Sequence, residues 1–272
     1  MNILCLGDLS LDHYIKQDKS FFGGCSLNVA RQLYEVLDHK QTSLYVPIGN
    51  DENSKRAKAY LETLNIEVRY KPYSGVLPSQ PIIVDEDGER HFEEYIDGVL
   101  PEFKVSDLGG FYFDSKDLII FPYFKQVESM VSSLLKLNPK AKLACDFGNL
   151  SDYDGNLTPI REILPFLSYA QFSGTPACKI RDEFFSKAVL ESGLIIVDTF
   201  GNQGARAYQK GRTFNSEAPQ ILQVTDTTGA GDAFMAHISY SLFVLGNDLE
   251  KASNFACEGG SKQVSHLGPG PL

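Results

Sequence analysis

The sequence predicts an α/β fold, a doubly wound and mostly parallel sheet with helices on both faces and a small β lid beside it. Three observations lead there. Short unbroken apolar runs recur along the chain, amphipathic segments separate them, and two polar stretches interrupt the alternation.

The apolar runs lie at 3–6, 43–48, 118–121, 142–146, 169–172 and 194–197. Continuous rather than alternating hydrophobicity marks strands buried on both faces, as in a parallel sheet. Between them, 27–37, 54–64, 124–137, 159–167 and 177–191 carry the helical period expected of crossover helices. From Gly229 onward the pattern turns helical, with two late helices expected over 233–245 and 249–264. The interruptions are 11–22, too polar and too short for a crossover helix, and 67–103. The second holds Pro-Ile-Ile-Val, an acidic Asp-Gly turn and a strand-like run from His91, a hairpin signature. Both are assigned to the lid. At 272 residues, one domain over 1–272 accommodates all of this.

Composition narrows the function classes. A net charge of −10 opposes a nucleic-acid partner, because phosphate backbones attract basic surfaces. Five cysteines, Cys5, Cys25, Cys145, Cys178 and Cys257, are odd in number and widely spaced, so reduced thiols are expected rather than a disulfide framework or a zinc site. His13, His39, His91, His237 and His266 show no metal-ligand spacing. The first residues, MNILCLGDLSLD, hold too short an apolar run for a signal peptide, and no stretch approaches the roughly 20 apolar residues of a membrane span. A cytoplasmic location without membrane association is the expectation.

The chemistry concentrates in Asp226-Thr227-Thr228-Gly229-Ala230-Gly231-Asp232-Ala233-Phe234. Gly229, Ala230 and Gly231 are small enough for backbone N–H groups to approach an anion, and the helix that follows offers free amides and a positive dipole end. Asp232, at the junction of loop and helix, can accept a proton from a hydroxyl whose oxygen attacks a phosphoryl group. Taken alone, Gly-Ala-Gly-Asp could equally be a turn with a capping aspartate.

The longer string resembles the C-terminal signature of the ribokinase/PfkB carbohydrate kinases, and four further motifs follow in register. Leu6-Gly7-Asp8-Leu9-Ser10-Leu11-Asp12 looks like the family's first strand with its sugar-facing acid. Gly23-Gly24-Cys25-Ser26-Leu27-Asn28-Val29-Ala30 is similar to its G-G-x-x-x-N-x-A segment. Ile48-Gly49-Asn50-Asp51 with Leu61, Leu64 and Ile66 matches its G-x-D stretch. Asp198-Thr199-Phe200-Gly201-Asn202-Gln203-Gly204-Ala205 looks like its nucleotide-site loop. Singly, Asp12 and Asn28 also read as turn and cap residues, Gly23-Gly24 as a tight turn, and Thr199–x–Gly201–x–x–Gly204 as a plain loop; their company carries the functional reading.

The resemblance implies a ribokinase-like fold and ATP-dependent phosphorylation of a sugar-like hydroxyl. Asp232 would be the base and Gly229, Ala230 and Gly231 the anion hole. Asp12, Gly23, Gly24 and Asn28 would meet the substrate. Thr199, Gly201, Gly204, Thr228, Gly229 and Gly231 would meet ATP. It also implies Mg2+, and leaves open monovalent-cation activation and a homodimer through the lid. One departure stands out: the family's N-x-x-E motif is absent, since Phe172-Ser173-Gly174-Thr175-Pro176-Ala177-Cys178-Lys179 keeps neither residue, and Asp182 and Glu183 do not restore the spacing. The metal ligands therefore stay unassigned. Ser54 and Asn65 also stand where glycine is common.

The segment from His91 to Val99, together with Cys145-Asp146-Phe147-Gly148 and Ser173-Gly174-Thr175-Pro176, resembles the fructoselysine 6-kinase branch, which acts on sugar–amine adducts and shares the missing motif. Glu93, Glu94 and Asp97 are then candidates for an amine-binding edge, or simply a solvated acidic strand. A nucleoside or vitamin kinase and a non-catalytic sugar or nucleotide sensor remain as alternatives. The absence of G-x-x-x-x-G-K-[ST] and of a helix-opening G-x-G-x-x-G disfavours a P-loop kinase and a dinucleotide enzyme.

Overall fold

The computed structural model describes residues 1–86, 89–153, 156–176 and 179–271. Its strands are β1 (Ile3–Leu6), β2 (Ser10–Tyr14), β3 (Lys19–Gly23), β4 (Thr42–Ile48), β5 (Glu67–Pro72), β6 (Ser79–Val84), β7 (Arg90–Phe92), β8 (Leu118–Pro122), β9 (Lys142–Asn149), β10 (Tyr169–Ser173), β11 (Ile195–Thr199), β12 (Ala205–Gln209) and β13 (Arg212–Ser216). The α-helices are α1 (Cys25–Arg31), α2 (Glu52–Thr63), α3 (Gly109–Asp114), α4 (Glu128–Leu137), α5 (Thr158–Ile163), α6 (Lys179–Ser192), α7 (Ala230–Ser239) and α8 (Leu249–Gln263). Helices α1 and α7 each run on into a wider π-helical turn, Gln32–Val36 and Tyr240–Val244.

A large sheet has the order β13-β12-β11-β10-β9-β8-β1-β4-β5. It is parallel from β11 to β5, and β12 and β13 add an antiparallel edge. Strand β1 shows why the unbroken apolar runs behave as they do. Ile3 and Cys5 enter the core shared with α1, α7 and α8, while Leu4 and Leu6 enter the opposite core, shared with α4. Both faces are covered, so every position is buried.

A second sheet, ordered β3-β2-β6-β7, forms the lid. Strands β2 and β6 pair in parallel and the other pairs are antiparallel. Its own core is small: Tyr14, Ile82 and Val84, with Phe21 and Leu267 against them.

The lid boundary expected at 67–103 needs correction at both ends. Strand β5 pairs with β4 as the far edge of the large sheet. None of its side chains is buried, as on an edge strand, which lacks the apolar run of the central ones. At the other end, Val99, Leu100 and Phe103 are buried, the last two in the α4-side core. Strands β6 and β7 form the expected hairpin, although its Asp87-Gly88 tip lies outside the described residues. The β12–β13 edge is an addition that the apolar pattern did not reveal. Its turn residues Lys210 and Gly211 both take positive φ, 42° and 76°, as in a type I′ hairpin. Among the described residues no helix is long and apolar enough to cross a membrane. Cys5, Cys25, Cys145 and Cys257 are free thiols, and Cys178 lies outside the described residues.

Candidate active site

The residues singled out above gather where the parallel strands end, the usual ligand crevice of an open α/β sheet. Helix α1 begins after Gly24, whose φ of 103° suits glycine and whose position offers no side-chain cap. Asp8, just past β1, supplies the cap from a distance: its two carboxylate oxygens accept the amides of Cys25 and Ser26, each at 2.9 Å. One turn into the helix, Asn28 is buried and its Nδ2 donates to Asp232 Oδ2 at 2.8 Å. Asp12 is buried on β2 and accepts from Ser10 Oγ at 2.8 Å. Gly23 lies so close beneath Asp12 that a Cβ there would collide with its carboxylate.

Helix α7 starts at Ala230 rather than near Ala233, because Gly229 takes a left-handed conformation (φ 80°) and turns the chain directly into the helix. Asp232 thus lies in the first turn, where the amides of Gly231 and Asp232 have no intrahelical acceptor. A Cβ on Gly229 would collide with the Pro269 carbonyl, so only glycine fits. The preceding loop is tied to Asp226, a fully buried carboxylate with four donors: Tyr14 Oη at 2.7 Å, Gly268 N at 2.9 Å, Thr228 N at 2.9 Å and Thr228 Oγ1 at 2.6 Å. The Thr228 hydroxyl is therefore committed to the loop itself.

From β10, Gln171 Nε2 reaches both the Gly231 carbonyl (3.0 Å) and Asp146 Oδ2 (2.9 Å). Asp146 and Asp232 line one cavity with Cys25, Ser26, Val29 and Met235. Burial pushes Asp232 up to about 7; the Asn28 amide opposes this, and Asp146 and Asp8 add to it. Asp12 is likewise raised to about 7 by burial and by Asp8 and Asp226, against the pull of Ser10. Burial lifts Asp146 to about 6. Three carboxylates thus sit in a place that penalises their charge, which a cation or a proton donor would relieve.

Asn28 Oδ1 and the Tyr95 hydroxyl are among the buried polar atoms that lack partners among the described residues. Burial, and then Asp8 and Asp12, hold that hydroxyl well above the usual tyrosine range. The lid carboxylates Glu93, Glu94 and Asp97 are exposed, and Asp97 accepts from Gln126.

The expected nucleotide loop is the turn from β11 to β12. Thr199 donates to the Phe172 carbonyl at 3.2 Å, and Gly201 and Gly204 have φ of 58° and 87°. A Cβ on Gly204 would strike the Ser216 carbonyl. The sheet register places this turn close to the Gly229–Gly231 loop. Gln171, which holds Gly231, pairs with Val197, two residues before Thr199. Where the N-x-x-E motif is missing, Arg181 Nη2 donates to the Ser173 carbonyl (2.9 Å) and pairs with buried Asp198, its guanidinium filling the space that a side chain on Gly174 would need. The Gly49–Asp51 motif is structural: Asp51 caps α2 by accepting from Ser54 N and also holds Leu77 N.

Asp146, Gln171, Tyr14, Tyr95 and Arg90 were not assigned to the site from the sequence. Each is a lone polar residue in an ordinary strand or loop, and only the register of β9 against β10 could have paired Asp146 with Gln171.

A parallel sheet with a two-layer helical cover, a β lid, and a Gly-Ala-Gly-Asp helix start against a buried Asn–Asp pair define the ribokinase-like class. Residues 186–271 match the pfkB family carbohydrate kinase profile. It is 26% identical over 234 residues to fructoselysine 6-kinase of Escherichia coli K12, covering 85% of each chain. It is 25% identical to fructosamine kinase FrlD of Bacillus subtilis 168, covering 98% of this chain and 92% of that one. The solved structure of ribokinase from Thermotoga maritima superposes with a TM-score of 0.77 at 20% identity, over 99% of this chain and 94% of that one.

Proposed function

We propose that the protein is an ATP-dependent kinase that phosphorylates a hydroxyl of a sugar, favouring sugar–amine adducts of the fructoselysine kind. The observation that carries this is the bond between Asn28 and Asp232 at the first turn of α7, beside Gly229–Gly231: a base and an anion hole in one place. The names of the two curated relatives favour the sugar–amine acceptor.

Asn28 Nδ2 holds one oxygen of Asp232 and leaves the other to take the hydroxyl proton as the acceptor oxygen attacks. Its unpaired Oδ1 and the carboxylate of Asp12 are positioned to receive acceptor hydroxyls, with Gly23 and Gly24 letting the backbone lie close. The amides at Gly229–Gly231 and the N-terminus of α7 face the charge that develops on the transferred group. Thr199, Gly201 and Gly204 shape the nucleotide edge, and Thr228 serves it indirectly by fixing the loop through Asp226. Magnesium–ATP, when bound, supplies the phosphoryl group and its counter-charge. Magnesium carried in by phosphate asks for only one or two protein carboxylates. The donor set fits that mode: Asp146 and Asp232 share a cavity, while no group of three or more metal-binding side chains occurs among the described residues. Cytoplasmic residence and pairing of two chains through the lid, where Phe92 and Ile96 are about half exposed, belong to the same reading.

A kinase assay across sugars, fructosamines and nucleosides tests it. The expected result is turnover highest on a fructosamine and lost in Asp232→Asn with nucleotide binding retained. ATP binding without phosphorylation of any acceptor would instead make the protein a sensor.

A further inference from the structure

Gln263, 2% exposed at the end of α8, joins the C-terminal residues to the loop that opens α7. Its carboxamide has a fixed orientation, because Oε1 accepts from the buried Gln32 Nε2 at 2.8 Å. Nε2 therefore faces the other way, into a cluster of backbone carbonyls. It lies 3.0 Å from the Gly268 oxygen and 3.4 Å from those of Thr228 and Gly270. Two N–H protons are thus shared among three acceptors. His266 Nε2 helps by donating to the Gly270 oxygen at 2.8 Å. That nitrogen carries its proton, since a carbonyl only accepts, so its 3.2 Å approach to Gln263 Nε2 is no further hydrogen bond. Beside the cluster lies the buried Asp226 carboxylate, which takes the Gly268 amide at 2.9 Å. The preceding carbonyl of the loop, that of Thr227, is answered by Arg90 at 2.7 Å.

Converging carbonyl oxygens beside a buried carboxylate are surroundings that can replace the water shell of a monovalent cation. Here a nitrogen stands where they converge, and its N–H groups supply the positive end that the carbonyl dipoles need. An ion and a carboxamide cannot share that space. We propose that Gln263 stands in for a monovalent cation, locking the C-terminal loop to the loop before α7, so that the protein works without one. The residues present thus do not fit the cation activation that the sequence resemblance left open. Gln263 is a positioning residue. The Thr228 carbonyl that it holds belongs to the peptide leading into Gly229, whose left-handed turn starts α7. The Pro269 carbonyl presses on the same glycine, and Gln263 holds the carbonyls on either side of it, those of Gly268 and Gly270. Its effect on turnover rests on the kinase reading above, whereas its effect on stability does not.

The test measures melting temperature and turnover in potassium chloride and in choline chloride, at equal ionic strength and constant magnesium. Choline is too bulky to enter the cluster. Wild type is expected to keep its melting temperature within about 1 °C and its kcat within about twofold between the two salts. Gln263→Ala leaves the carbonyls unanswered and opens room for an ion. In choline its melting temperature should fall by about 5 °C or more and its kcat about tenfold. Potassium should restore at least about half of each loss. Gln263→Met fills the space without donors, and its losses should be equal in the two salts. A wild type stabilised or activated by potassium would overturn the inference, as would a Gln263→Ala variant indifferent to the salt. Where Gln263→Ala folds in neither salt, the wild-type comparison alone decides. If wild type phosphorylates no acceptor, the kinase reading fails, and the melting temperatures still decide the role of Gln263.

Discussion

The two halves of the proposed site, its acceptor side and its donor side, are built on different principles. On the acceptor side, Asp8, Asp12, Asn28, Asp226 and Asp232 form a buried net of carboxylates whose hydrogen bonds come from backbone amides, hydroxyls and one carboxamide. No cation takes part in these bonds. On the donor side, an arginine has moved in. Arg181 pairs with Asp198 where the family pattern carries an asparagine and a glutamate, and Arg206 pairs with Asp182 next to it. One half leaves its acids open to a ligand; the other pairs its acids with arginines, although burial still lifts Asp198 to about 6 against the pull of Arg181. Chemistry is expected from the first half and rigidity from the second.

The most severe break in that contrast is Asp232→Asn. Removing the base should lower kcat by about a thousandfold or more, with nucleotide affinity by calorimetry left within a few-fold. A variant that kept wild-type turnover would move the chemistry elsewhere. On the donor side the largest effect should be on stability. Arg181→Met strands Asp198 in a buried position, and denaturant unfolding should show a loss of about 3 kcal/mol. A kcat loss exceeding the loss of stability would instead make Arg181 part of the chemistry.

Proton balance sharpens the comparison further. Asp12, Asp146 and Asp232 are raised from an ordinary value near 3.8 to about 7, 6 and 7. The folded state therefore binds more protons than the unfolded chain between those limits, and stability falls as pH rises from about 4 to about 7. Activity should run the opposite way, because the base must be ionised. In unliganded protein the melting temperature is expected to be lower at pH 8 than at pH 5.5, while kcat/KM climbs through pH 7. Asp232→Asn should flatten part of the melting trend, and parallel pH curves for variant and wild type would remove Asp232 from its cause.

The smallest expected effect is that of Tyr95→Phe. Because the hydroxyl has no partner among the described residues, its loss should leave the melting temperature nearly unchanged. If it faces the acceptor, KM for that substrate should rise about threefold to tenfold with ATP affinity unaltered. An unchanged acceptor KM would leave recognition to Asp12 and Asn28.

Much of this was legible in the sequence for a definite reason. Strands such as β1 and β8 are covered on both faces and must be apolar throughout, and Gly229 must be glycine because a backbone carbonyl presses against it. Those constraints act locally and leave a local trace. The edge strands β5 and β13 left none, since an edge strand with one wet face can be as polar as a loop. The N-x-x-E gap was visible, but its replacement was not: Arg181 is one of many helix-borne basic residues until α6 lies across β11. Asp146 and Gln171 acquire their meaning only from the β9–β10 register, and Arg90 only from the fold of the lid onto the Thr227 loop.

The hydrogen bonds that hold the Gly229–Gly231 loop and the start of α7 also set a timetable. Tyr14 meets Asp226 across 212 residues and Asn28 meets Asp232 across 204. Contacts of such long sequence separation form late, after the entropy of closing the intervening chain has been met by the rest of the core. A partly folded molecule can already display strands and helices while Asn28 and Asp232 are still apart. Regain of activity on refolding should therefore trail regain of helix signal.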